Sequence, residues 1–129
     1  MRSLKVTLHV LILVGMIFLA VGLAAAQETR PRLAQVIYIT KSDHCGCDDE
    51  RYWNANAAVD QVFAGPRRQL VKRIDYSLDH QAAVPYIGEY RLNMLPALLF
   101  LDAQAHLLWS ALGVITEKEV QEQFNQFGG

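Results

Sequence analysis

Cys45 and Cys47 are the only cysteines among the 129 residues. They stand one residue apart in "SDHCGCDDE", Ser42 to Glu50, with His44 in front and Asp48, Asp49 and Glu50 behind. Thiols at this spacing can exchange with other disulfides, clip a metal ion, or staple the chain. A disulfide needs Cα atoms about 4.4–6.8 Å apart, which residues two apart reach only in a bent backbone. Gly46, without a Cβ, is expected to provide the bend. Stapling is a poor use of so small a ring: a 15-residue loop gains about 3 kcal/mol, and shorter ones gain less. A small, labile ring suits exchange better.

For exchange, Cys45 comes first in the loop and is expected to attack, with Cys47 resolving the mixed disulfide. A helix N-terminus stabilises a thiolate, whereas Asp43, Asp48, Asp49 and Glu50 oppose a further anion. Three acids in a first helical turn are also what the helix dipole prefers, so their ordinary role is capping and solvation. His44 is read as a modulator, offsetting the acids when protonated or shuttling a proton. The alternative is a carrier of Cu(I) or Zn through Cys45, Cys47 and a histidine, His44 or His80. No organic cofactor is required for exchange. His106 is expected at the opposite pole of the fold.

The elements that must hold these residues begin after an apolar N-terminus. Residues 1–26 open with Arg2 and Lys5, run apolar from Val10, and close on Ala24, Ala25 and Ala26. This is the layout of a secretory signal peptide, or of an uncleaved membrane anchor. Export to a periplasmic or extracellular, thiol-oxidising setting is therefore expected. Losing Arg2 and Lys5 takes the formal net charge from −1 to −3, and no basic run argues for nucleic acid. Residues 27–35 read as a linker and 36–129 as one domain.

Within the domain, "VIYI" (Val36–Ile39) suits a buried strand. Helical spacing follows from Asp48 through Tyr52, Ala55, Val59, Val62 and Phe63, and stops at "AGP" (Ala64–Pro66). A strand over Gln69–Asp75 comes next, then a helical stretch near Asp79–Tyr90 weakened by Pro85 and Gly88. "ALLFL" (Ala97–Leu101) is a buried strand, turned by "DAQAH" into Leu107–Leu112. Thr116 and Glu119 form a capping box for a last helix, with Val120, Phe124 and Phe127 on one face. Tyr52, Trp53, Phe63 and Trp109 are expected in the core, and Arg67 and Arg68 in a solvated turn. The order predicts an α/β fold, a three-layer α/β/α sandwich around a mixed sheet, ending in a β-hairpin and a helix.

The segment "EYRLNMLPALLFLDAQAHLLWSALGVITEKEVQEQF", from Glu89 to Phe124, resembles the thioredoxin-like superfamily in the order of Tyr90, Pro96, the apolar strand, the turn, Gly113 and the final helix. The resemblance implies that Pro96 follows a cis bond beside the cysteines, and that the backbone of Leu95 pairs with an extended substrate. It also implies protein thiols or disulfides as partners. Without the resemblance, Pro96 is a residue that opens a strand without giving up a needed donor. The chain departs from the family pattern by one residue between the cysteines instead of two, by His44 in place of a tryptophan, and by the lack of an acid in "VIYI".

Overall fold

The computed structural model describes residues 30–128. The expected signal or anchor at residues 1–26 lies outside them. Among the described residues, no helix is long and apolar enough to cross a membrane.

The chain runs β1 (Gln35–Thr40), α1 (Asp49–Val62), β2 (Val71–Asp75), α2 (His80–Glu89), β3 (Ala97–Leu101), β4 (Leu107–Leu112) and α3 (Glu117–Phe127), with 3-10 turns at Gly46–Asp48 and Gly65–Leu70. One four-stranded sheet has the order β2-β1-β3-β4. β1 and β2 are parallel, joined through α1, while β3 runs antiparallel to both β1 and β4.

The two central strands are apolar on both faces because both faces are covered. Val36 and Tyr38 of β1, with Leu98 and Phe100 of β3, point into a core shared with α1 and α3. Ile37 and Ile39, with Leu99 and Leu101, point the other way, toward Ile74 of β2 and Ala83 of α2. This period-two division gives the three layers. Phe63 meets Phe100 and Phe124 edge-on, at 5.8 and 5.5 Å between ring centres, and locks α1 and α3 to β3. The Tyr38 hydroxyl, carried into that core, donates to Asn56 Oδ1 at 2.9 Å. Burial pushes the Tyr38 phenol up to about 12.

Several boundaries differ from the sequence reading, each for a local reason. β2 opens at Val71, not Gln69, because Val71 faces Val36, where the ladder with β1 begins. The residues before it turn through a 3-10 segment that Pro66 starts. Arg67 is not merely solvated: its guanidinium covers the Phe124 ring at 4.5 Å, and Nη1 donates to the Val62 carbonyl at the end of α1 at 3.4 Å. Leu33 and Ala34, read as linker, already bond to Phe127 and Leu101. α2 runs through Pro85, its start fixed by Asp79, whose side chain accepts from the Ala82 N–H. Trp53, expected in the core, is 75% exposed. It neighbours Tyr52 in sequence, and a step of one residue along a helix turns it off the face that Tyr52, Ala55 and Val59 bury.

Candidate functional site

β1 ends at Thr40 and α1 begins at Asp49, so the cysteines occupy the turn between a central strand and a helix start. Cys45 and Cys47 are joined as a disulfide with their Cα atoms 5.3 Å apart. Both residues are exposed. Cys45 is extended, at φ −73° and ψ 150°, and its carbonyl accepts from the Asp48 N–H at 2.9 Å, closing one 3-10 turn over Gly46–Asp48. A helical turn, not a glycine-specific bend, brings the sulfurs together. Gly46 lies outside the positive-φ region, and a Cβ there would meet nothing nearer than Asp49 Oδ2 at 3.6 Å.

The acids around the pair are partly neutralised. Arg51 Nη2 forms an ion pair with Asp48 Oδ1, and His44 Nδ1 lies 3.1 Å from Asp49 Oδ1. The same Nδ1 lies 3.3 Å from the Cys45 carbonyl oxygen. Both of its neighbours are acceptors, so Nδ1 carries the proton. The imidazole stacks on the Tyr52 ring, 4.2 Å between centres and nearly parallel to it. His44 is thus a fixed wall of the cysteine turn. Burial raises the Tyr52 phenol above its ordinary value. Of the four carboxylates, Asp48 is offset by the Arg51 guanidinium and Asp49 lies against the His44 ring nitrogen.

The Leu95–Pro96 peptide is cis. Pro96 is fully buried and immediately precedes β3, whose first residue, Ala97, faces Ile39 near the end of β1. The register therefore brings the proline to the cysteine end of the sheet. Its carbonyl accepts from Gly113 N at 2.8 Å, and among the described residues Leu95 makes no backbone hydrogen bond. Gly113 is at φ +74°, and a Cβ there would collide with Met94 Sδ. Met94 in turn lies 3.8 Å from Arg51 Nη1. Arg51 therefore connects the first turn of α1 to the loop before Pro96. Beneath the pair opens a groove of about 390 Å³, walled by Cys47, Asp48, Glu50, Arg51 and the segment Val114–Thr116. Arg51 Nε is buried at this place without a partner.

The predicted metal donors divide. Cys45, Cys47 and Asp48 offer donor atoms within 4.8 Å of one another. His44 faces Asp49, and His80 sits against Tyr76, 4.6 Å between ring centres. Neither histidine belongs to that group. His106 pairs with Asp102 at 3.1 Å in the β3–β4 turn, at the far end of the strands from Ala97, as the sequence indicates.

Arg51, Met94 and Asp75 were missed in the sequence. Asp75, closing β2, accepts at Oδ1 from the Ser42 N–H at 3.1 Å and the Ser77 N–H at 2.9 Å. Ser77 Oγ accepts from the Asp43 N–H at 3.0 Å. The "DYS" spacing of an Asx turn was a legible signal for Asp75. Nothing local announces that Arg51 would reach Met94, 43 residues on.

No protein-family model matches the chain. No curated protein matches it in sequence. Its backbone is similar to the C-terminal domain of DsbD from Neisseria meningitidis, solved in a reduced and an oxidised form. Against the reduced form the TM-score is 0.51 at 16% identity, over 86% of this chain and 95% of that one. The oxidised form gives 0.51 and 16%, over 86% and 94%. A thioredoxin-like protein from Clostridium perfringens gives 0.51 at 15% identity, over 79% of this chain and 76% of that one. The chain has the thioredoxin-like α/β fold, with a cysteine pair at the start of its first helix.

Proposed function

We propose that the protein is an exported thiol-disulfide oxidoreductase that acts on protein thiols or disulfides through Cys45 and Cys47. The observation that carries this reading is the exposed Cys45–Cys47 disulfide at the start of α1, on the end of the sheet where Pro96 opens β3. A buried staple would be protected; this pair faces solvent beside a groove. Export rests on the charged and apolar pattern of residues 1–26, and leaves either a free periplasmic or extracellular domain or one held at a membrane by that segment.

In the reducing direction, the Cys45 thiolate attacks one sulfur of a substrate disulfide. A Cys45–substrate disulfide forms, the substrate S–S bond breaks, and the first substrate thiolate leaves. The Cys47 thiolate then attacks the Cys45 sulfur, restoring the Cys45–Cys47 bond and releasing the second substrate thiolate. Two electrons pass to the substrate, and no organic cofactor takes part. The reverse sequence oxidises a dithiol. Cys45 is the better attacker because it stands ahead of the turn, while Cys47 lies within it. The α1 N-terminus favours its thiolate, and the pairing of Asp48 with Arg51 limits the opposing charge. An extended substrate would lie along the Leu95 backbone beside Pro96, and His44 would hold the Cys45 carbonyl.

Replacing Cys47 by Ser tests the scheme. Mixed disulfides through Cys45 should accumulate with exported disulfide proteins and disappear when Cys45 is also replaced; no adduct under conditions that trap other oxidoreductases would remove the reading.

The clustering of Cys45, Cys47 and Asp48 donors also favours a second reading, a Cu(I) or Zn carrier. Two sulfurs suit Cu(I), whereas a closed Zn site wants four protein ligands. Only the reduced pair can ligate. Titration of the reduced chain with Cu(I) should then show one tight site lost in the Cys45→Ser, Cys47→Ser double variant, and equal binding by that variant would eliminate the carrier.

A further inference from the structure

Beside the cysteine turn, sharing Glu50 with the groove walled by Arg51, lies a second open groove, of about 510 Å³, lined by His44, Asp49, Glu50, Tyr52, Trp53 and Asn56. Asp49, Trp53 and Asn56 are spaced four and three apart on α1, so they share one exposed stripe of the helix, with the buried Tyr52 at its inner edge. The groove begins at the residue before Cys45, since His44 contacts both Asp49 and the Cys45 carbonyl. Its chemistry is one-sided: two carboxylates, three aromatic rings, one amide, and no Lys or Arg. Arg51 reaches only its edge, 5.9 Å from the Tyr52 ring centre, and its charge is already paired with Asp48.

Trp53 gives the groove a purpose that core packing does not. A tryptophan 75% exposed in the second turn of α1 contributes little to folding and presents a π face to whatever approaches. A π face beside carboxylates attracts a cation from two directions at once, through the ring quadrupole and through charge. An anion or a phosphate would be repelled by the same walls.

Resting on the oxidoreductase reading, we propose that this groove is a specificity subsite for a lysine or arginine side chain flanking the reactive cysteine of a polypeptide substrate. The substrate sulfur engages Cys45 while the basic side chain turns along α1, its stem against Trp53 and its head toward Glu50 and Asp49. Because the groove starts at His44, next to Cys45, and strand residues advance about 3.3 Å each, the basic side chain belongs one to about three residues from the cysteine. The preferred partner is therefore a cysteine in a basic sequence context.

The test uses the pre-reduced full chain and three peptides with one internal disulfide, alike except for Lys, Ser or Glu beside the cysteines. Peptide thiol release is followed in a single turnover. The Lys peptide should react about tenfold faster than the Glu peptide at low salt, the combined effect expected of one cation–π contact and exposed charge pairs. The ratio should shrink in molar salt, and should fall toward unity in the Glu50→Gln and Trp53→Ala variants. Equal rates for all three peptides in the native chain, or a ratio unchanged by both variants, overturn the subsite while leaving exchange intact. Binding is read separately by Trp53 fluorescence in a Trp109→Phe background. A saturable change with the Lys peptide and none with the Glu peptide supports the groove even if no peptide is reduced, in which case exchange falls instead. Absence of any change with the Lys peptide overturns the subsite.

Discussion

Asp75 touches neither sulfur, yet it ties the cysteine turn to the end of β2. Burial works against its charged form, but hydrogen bonds from Ser42, Ser77 and Leu78 outweigh that and hold its carboxyl below the usual carboxylate range. The folded state then binds fewer protons than the unfolded one as pH falls past the unfolded value. The stabilising contribution is whole at neutral pH and is lost as pH drops through the depressed folded value. Asp75→Asn should cost about 1–2 kcal/mol at pH 7, a range kept modest because the bonds are near solvent. In acid the gap between native and variant chains should close. Chemical denaturation at neutral and acid pH measures it, and a gap that does not depend on pH would contradict the linkage. At this scale the sequence located the candidate residues better than their supports. The cysteines, His44 and Pro96 were legible from type and spacing. Gly46 was overread, because a 3-10 turn needs no glycine-only conformation. Trp53 was misplaced, because residue type favours burial while a helix face is decided by angle.

Among the elements, the segment from Met94 to Thr116 has the most influence on the site. Gly113 holds a left-handed backbone, donates to the Pro96 carbonyl, and leaves room for Met94, which reaches Arg51. In Gly113→Ala the exposed Met94 side chain can swing aside, so the direct cost falls on the backbone, roughly 1–2 kcal/mol for an L residue in that conformation. The displaced methionine also removes the Arg51–Met94 contact and leaves Arg51 held by Asp48. The variant should therefore lose that stability in denaturant and exchange more slowly with peptide disulfides, whereas Met94→Ala should slow exchange with little loss of stability. Equal effects of the two substitutions on both readouts would contradict the link through Met94. Strands β3 and β4 and the last helix were readable to the residue or nearly so, because continuous apolar runs and a threonine cap are local signals. Thr116 Oγ1 does accept from the Glu119 N–H at 3.3 Å. The start of β2 was not readable, since it depends on where β1 offers a partner. The Arg51–Met94 contact was invisible for the same reason: it exists only after the sheet has closed.

Taken whole, the molecule places its cysteine pair and Pro96 at one end of a mixed sheet and the β3–β4 turn at the other. Parallel β1 and β2 send the cysteine turn and the Asp75 tether to the same end, and antiparallel β3 begins there with Pro96. This arrangement was legible because alternating periodicities dictate layers, and layers restrict the topology. The two grooves flanking the cysteine turn were not legible, because each joins residues that only folding and rotamers bring together. The most direct test of the central claim is an electron count between this chain and a disulfide-bonded protein. The reduced chain is mixed with that protein, the reaction is quenched with acid, and thiols are counted on each partner after separation. The account predicts two new thiols on the partner for each Cys45–Cys47 disulfide formed, and none when Cys45 is replaced by Ser. A partner that gains no thiols while Cys45 and Cys47 stay reduced would contradict it.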